Sequence, residues 1–141
     1  AKKVYITLPV LTGLSSSSGA SVSSANTFKC TSVGFDSSSG SSLTFSVEAE
    51  KIDCESSSGS TMTLSGRTVS LDTDSSSGSS MNLKNLVAQN VEAESSSGSS
   101  TTVNPTESLK ADASSGSSIN YVTKPKSISA DKSSGGSVSQ Q

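Results

Sequence analysis

This 141-residue chain reads as an all-β protein, a right-handed parallel β-helix of about seven coils of 18–21 residues each. Three observations predict it. Seven serine runs each close on a glycine (Gly19, Gly40, Gly59, Gly78, Gly98, Gly116 and Gly135), and a fixed period of this kind is what stacked repeats leave in a sequence. Apolar residues alternate with polar ones on both sides of these glycines, which is strand periodicity with one buried face. Length variation is confined to the middle of each repeat, where Gly34, Gly66, Pro105 and Pro125 lie, as expected of solenoid loops.

The elements follow in chain order. The opening Lys3-Val4-Tyr5-Ile6-Thr7-Leu8-Pro9 is strand-like and reads as belonging to a preceding coil. Residues 1–141 are therefore expected to be a single β-helix domain, the C-terminal part of a longer precursor. The uncovered apolar edge from Val4 to Leu11 is expected to self-associate or to pair with that missing part.

After each glycine a first strand sends one column inward, Val22, Leu43, Met62, Met81, Thr101, Ile119 and Val138. A second inward column holds Ser24, Phe45, Leu64, Leu83, Val103 and Tyr121. A variable loop follows, and then a second strand. Its inward columns are Thr12, Val33, Ile52, Leu71, Val91, Leu109 and Ile128, and Leu14, Phe35, Cys54, Thr73, Ala93, Ala111 and Ala130.

Two strands per coil predict two main sheets facing each other across a thin core, with the rest of each coil supplying the crossover that parallel strands need. The Ser-Ser-Ser-Gly corner then reverses the chain. Glycine supplies φ > 0 there without a Cβ penalty, and small hydroxyls before and after it can stack from coil to coil. Lys132 occupies an inward position filled by serine or alanine in earlier coils, so it marks an end coil where a lysine can reach water.

Composition agrees only because the chain is repetitive. A hydrophobic content of 30% with 4% aromatics would suggest disorder in an ordinary sequence, but a solenoid needs only a few apolar columns. A net charge of −2 with scattered basic residues argues against nucleic-acid binding. No apolar run is long enough to form a membrane-spanning helix. Cys54 lies in a core column and Cys30 in the variable loop, too far apart to bridge, so two free thiols are expected.

Histidine is absent, which removes His-based triads and His-ligated zinc, and no base stands beside the abundant serines. No cofactor motif is present, and the chain is not expected to be an enzyme. One pattern carries chemistry. Four residues before each glycine from the second onward stands an acid: Asp36, Glu55, Asp74, Glu94, Asp112 and Asp131. The next outward column holds Asp53, Asp72 and Glu92 before it switches to Lys110. Stacked about 4.8 Å apart, adjacent carboxylates repel by about 0.9 kcal/mol even at the dielectric of water. Three readings stand side by side: a solvated face that keeps the sheet soluble, a surface for divalent cations such as calcium, and a contact for a basic partner.

The repeat Ser17-Ser18-Gly19-Ala20-Ser21-Val22, again as Ser38-Ser39-Gly40-Ser41-Ser42-Leu43, resembles the head GIN domain family of putative auto-transporter adhesins. The opening Val4-Tyr5-Ile6-Thr7-Leu8-Pro9-Val10-Leu11 resembles it too, so the likeness covers essentially the whole chain. It implies a β-helix similar to pectin lyase-like folds without catalytic residues, in an exported protein of Gram-negative bacteria, at the cell surface, outer membrane or periplasm. It implies adhesion to a protein or glycan surface. The alternative from another class is a carbohydrate-binding or carbohydrate-processing β-helix.

Overall fold

The computed structural model describes residues 3–5, 13–16 and 21–140. Every element among them is a strand. In chain order these are β1 (Lys3–Tyr5), β2 (Gly13–Ser16), β3 (Ser21–Ser37), β4 (Ser42–Ser56), β5 (Thr61–Ser75), β6 (Ser80–Ser95), β7 (Ser100–Ala113), β8 (Ser118–Tyr121), β9 (Ser127–Lys132) and β10 (Ser137–Gln140). All pairings are parallel, and each long strand pairs with the long strand one coil away. The result is a β-solenoid of about six turns, close to the expected seven. The Gly19 corner and residues 6–12 of the opening segment lie outside the described residues, as do the side chains of Leu14, Ser24 and Cys30.

The expected strand–loop–strand repeat is corrected in one respect. From β3 to β7 a coil is one strand of 14 to 17 residues that keeps its ladder through the bend, so a single wrapped sheet replaces two separate ones. Bends are instead written into the burial pattern. In β6, alternation slips twice, at Lys84–Asn85 and Gln89–Asn90, where two consecutive residues face solvent. A strand puts neighbours on opposite faces, so two exposed in a row mean that the chain has turned.

Length variation is absorbed at the same places as register shifts, between Ser23 and Thr27, Thr63 and Ser65, and Asn82 and Val87. Pro105 stands within β7, buried, beside the shift at Ala88–Asn90, where an irregular ladder can spare its missing donor.

The inward columns pack as one core. Leu43, Met62, Met81, Thr101 and Ile119 stack in register, all at most 1% exposed, and Phe45, Leu64, Leu83 and Val103 stack beside them. The arm on the other side of the corner supplies Phe35, Cys54, Thr73, Ala93 and Ala111. Phe35 and Phe45 meet across the core with ring centroids 5.4 Å apart. Cys54 is buried and unpaired, and burial, with lesser contributions from Asp53 and Asp72, pushes its thiol far above the ordinary range, so it stays protonated and inert. In the final coil Ile128 is 37% exposed and Lys132 reaches solvent in the column of Ala113.

Two hydroxyls in this core have no hydrogen-bond partner, Thr73 Oγ1 and Thr101 Oγ1, and both residues are fully buried. Thr101 stands between Met81 and Ile119, where valine has the same shape. Thr101→Val is therefore expected to stabilise the fold by about 1–2 kcal/mol, because it removes a desolvated group that gains nothing in return. Urea unfolding should show a higher midpoint with an unchanged slope.

Corners repeat closely. Within Ser38-Ser39-Gly40-Ser41, the Ser41 N–H donates to Ser38 O at 3.2 Å, with φ 55° at Ser39 and 73° at Gly40. Two positive φ values in succession are the signature of a type I′ turn. Left-handed backbone is expected of the glycines, yet Ser39, Ser58, Ser77, Ser97, Ser115 and Ser134 share it. The stack explains how serine is held there. From Gly40 to Gly116 each corner glycine N–H donates to the carbonyl of the left-handed serine in the following coil: Gly40 to Ser58 at 3.0 Å, Gly59 to Ser77 at 3.1 Å, Gly78 to Ser97 at 3.0 Å.

The stacking hydroxyls also differ from expectation. Serines one and two before the glycine sit at the partly or fully exposed tip. The buried ones stand three before it and one after it. Ser56 Oγ and Ser60 Oγ lie 2.8 Å apart, Ser57 N–H donates to Ser60 Oγ, and Ser60 Oγ donates to Ser37 O of the previous coil at 2.7 Å. Ser75–Ser79 and Ser95–Ser99 repeat the arrangement.

Candidate functional site

Because the arm before each corner alternates inward and outward, every second residue there must face solvent, and parallel pairing sets equivalent residues side by side. Asp36, Glu55, Asp74, Glu94, Asp112 and Asp131 accordingly form one continuous outward column, each the register partner of the next, and all are exposed. Asp53, Asp72, Glu92 and Lys110 form the column beside it, continued past Asp53 by Gly34. Two residues along a strand return to the same face, so the columns make one acidic surface. A groove follows it, lined by Lys51, Asp53, Glu55, Asp72, Asp74 and Glu92, among others.

Electrostatics on this face are set by partial burial and by like-charge crowding. Partial burial, then Glu92 and Asp53, raise the Asp72 carboxyl above its ordinary value, while Lys51 opposes them and Asp74 adds a further upward push. Partial burial, then Asp74, Asp112, Glu92 and Asp72, raise Glu94. One cross-coil ion pair relieves the crowding, Lys110 Nζ to Glu92 at 3.6 Å, with both side chains exposed. Among the described residues no three acids converge on a point where a metal ion could sit, so the ladder presents carboxylates in a row without forming a cage.

A second face went unread in the sequence. On the arm after each corner, one outward column is Ser42, Thr61, Ser80, Ser100 and Ser118, and the next is Thr44, Thr63, Asn82, Thr102 and Asn120. Neither contains a charge. Reading the positions two and four after each glycine would have found them; attention to the apolar residues between them hid the signal. A third stretch, in the middle of the coil, is mixed. Lys29, Glu48 and Arg67 are register partners there, Lys29 and Glu48 lie 3.9 Å apart, and Val69 and Val87 are exposed.

Comparison with known proteins agrees with this architecture. The profile of the family described as putative auto-transporter adhesin, head GIN domain, matches residues 1–125. A solved structure of a putative adhesin from Bacteroides fragilis superposes with a TM-score of 0.87 at 23% identity, over 93% of this chain. This chain spans 61% of that protein's chain. Among curated proteins, none matches.

Proposed function

We propose, from the premise that this chain belongs to the head GIN domain family of putative auto-transporter adhesins, that it is a non-catalytic adhesive module exported to the surface of a Gram-negative bacterium. The observation that carries this reading is the pair of outward faces that repeat along the solenoid axis, one built on the acidic column and one neutral. A catalytic site depends on one local, asymmetric arrangement of groups. A face that repeats the same groups coil after coil offers many equivalent weak contacts, which suits extended adhesion. The absence of histidine supports the non-catalytic part. Among the described residues no helix is long and apolar enough to cross a membrane.

The partner is a protein or glycan surface. A second reading, binding of an uncharged carbohydrate, is favoured by the hydroxyl and amide columns, whose side chains can both donate and accept hydrogen bonds. A glycan array run beside a pull-down on surface proteins separates the two. With a glycan partner, Thr63→Lys combined with Thr102→Lys should abolish binding and leave the melting temperature unchanged. With a basic protein partner, Asp74→Lys combined with Glu94→Lys should abolish binding instead. Turnover of a polysaccharide that is lost in Asp74→Asn would overturn the non-catalytic assignment.

A further inference from the structure

We propose that the acidic face makes this an acid-stabilised fold, whose folding stability rises as pH falls from neutrality to about 4.5, the reverse of ordinary acid denaturation. The reason lies in what folding brings together. Successive acids of the main column are 18 to 20 residues apart in the chain. In an unfolded Gly/Ser-rich segment that separation averages about 24 Å, well beyond the screening length of about 10 Å at 0.1 M salt. In the solenoid the same groups are register neighbours on adjacent strands, about 4.8 Å apart. Their repulsion is therefore a cost of the folded state alone, and protonation removes it.

Every charged group on the face enters this balance. β3 contributes Asp36, β4 contributes Lys51, Asp53 and Glu55, and β5 contributes Asp72 and Asp74. β6 adds Glu92 and Glu94, β7 adds Lys110 and Asp112, and β9 adds Asp131 and Lys132. Nine carboxylates thus face three lysines, one of which stands in the end coil and one of which already pairs with Glu92. The upward shifts at Asp72 and Glu94 agree in sign. A carboxyl held above its unfolded value binds its proton more readily in the native state, so stability is gained as pH falls through the folded value.

Ordinary acid denaturation requires native carboxylates that are paired or hydrogen-bonded, or histidines buried neutral. Histidine is absent. Among the described residues outside this face the carboxylate pairs are Lys29–Glu48 and Lys126–Glu107, both solvent-exposed, and exposed pairs contribute little. Little in the described fold therefore opposes the gain.

The test is thermal unfolding of the full chain, followed by circular dichroism at pH 7.5 and 4.5 in dilute buffer of about 0.1 M ionic strength and again in 1 M NaCl. The melting temperature is expected to be about 5 °C higher at the lower pH in dilute buffer. That gap should shrink in 1 M NaCl, where screening acts within about 3 Å. The double variant Asp72→Asn, Glu94→Gln should melt higher than the parent at pH 7.5 and narrow the gap. An equal or lower melting temperature at pH 4.5 in dilute buffer would overturn the proposal, as would a gap that the double variant leaves untouched. Because the isoelectric point is near 5.0, the measurement is made across protein concentrations. A rise that appears only at high concentration would assign the effect to association and equally overturn it.

Discussion

Gly66→Ala is expected to destabilise the protein by about 4 kcal/mol or more, the largest effect of any single substitution considered. Gly66 has φ 123°, and a Cβ built on it would stand 2.0 Å from the carbonyl oxygen of Val47, its register partner one coil earlier. That oxygen belongs to backbone in the packed wall of the core, beside a valine with 0% exposure, so it cannot swing aside as a side-chain tip would. The ladder between β4 and β5 has to open locally. The contrast is with the corners. A Cβ on Gly40 or Gly78 meets nothing within 4 Å, so alanine there suffers only the left-handed backbone penalty of about 1–2 kcal/mol. Urea unfolding of Gly66→Ala and Gly78→Ala side by side measures the difference, and similar midpoints would refute the close-approach argument.

Ser79→Ala is expected to cost about 3 kcal/mol, and Ser75→Ala only about 1 kcal/mol, although the two hydroxyls bond to each other. Ser79 Oγ meets Ser75 Oγ at 2.9 Å, accepts from Ser76 N–H at 3.1 Å and donates to Ser56 O at 2.8 Å. Its loss leaves Ser75 Oγ, which is fully buried, with no partner, and a stranded buried hydroxyl is what makes such a deletion expensive. Loss of Ser75 leaves Ser79 its two backbone contacts. The chain already contains that second situation: Ala113 replaces the corresponding serine, while Ser117 Oγ still accepts from Ser114 N–H and donates to Ser95 O. The double variant should be less destabilised than the sum of the two, since removing both partners leaves nothing stranded. Equal costs for the two single variants would show that the hydroxyl pair is not the deciding contact.

These two predictions also show where sequence reading stopped. The repeating glycines are the most visible feature of the chain, yet at Gly40, Gly59, Gly78, Gly98 and Gly116 a Cβ would point into open space, so alanine meets only the left-handed backbone penalty. Gly66 has no counterpart in the repeat, and its place in the sequence marks only a loop. The serine run marks a corner, but the motif alone cannot tell the half-buried Ser57 and exposed Ser58 from the buried Ser56 and Ser60. The acidic face was legible to the residue, because an in-register stack turns a sequence period directly into a spatial column. The neutral face carried the same period and was missed because serine and threonine are common throughout the chain.

The all-β class, the coil period, the inward columns and the line of carboxylates are all legible in the residues alone. All of these follow from two regularities that are local in the chain, the alternation of strand side chains and the recurrence of the corner. It took the packed coils to show that a coil is one continuous bent strand, that six of the described non-glycine residues hold positive φ, that Gly66 lies against Val47, and which hydroxyl satisfies which carbonyl. Each of these depends on distances between atoms one coil apart, about 19 residues along the chain. Such distances are set to tenths of an ångström by how neighbouring coils seat on one another, and no periodicity in a sequence encodes a length that short.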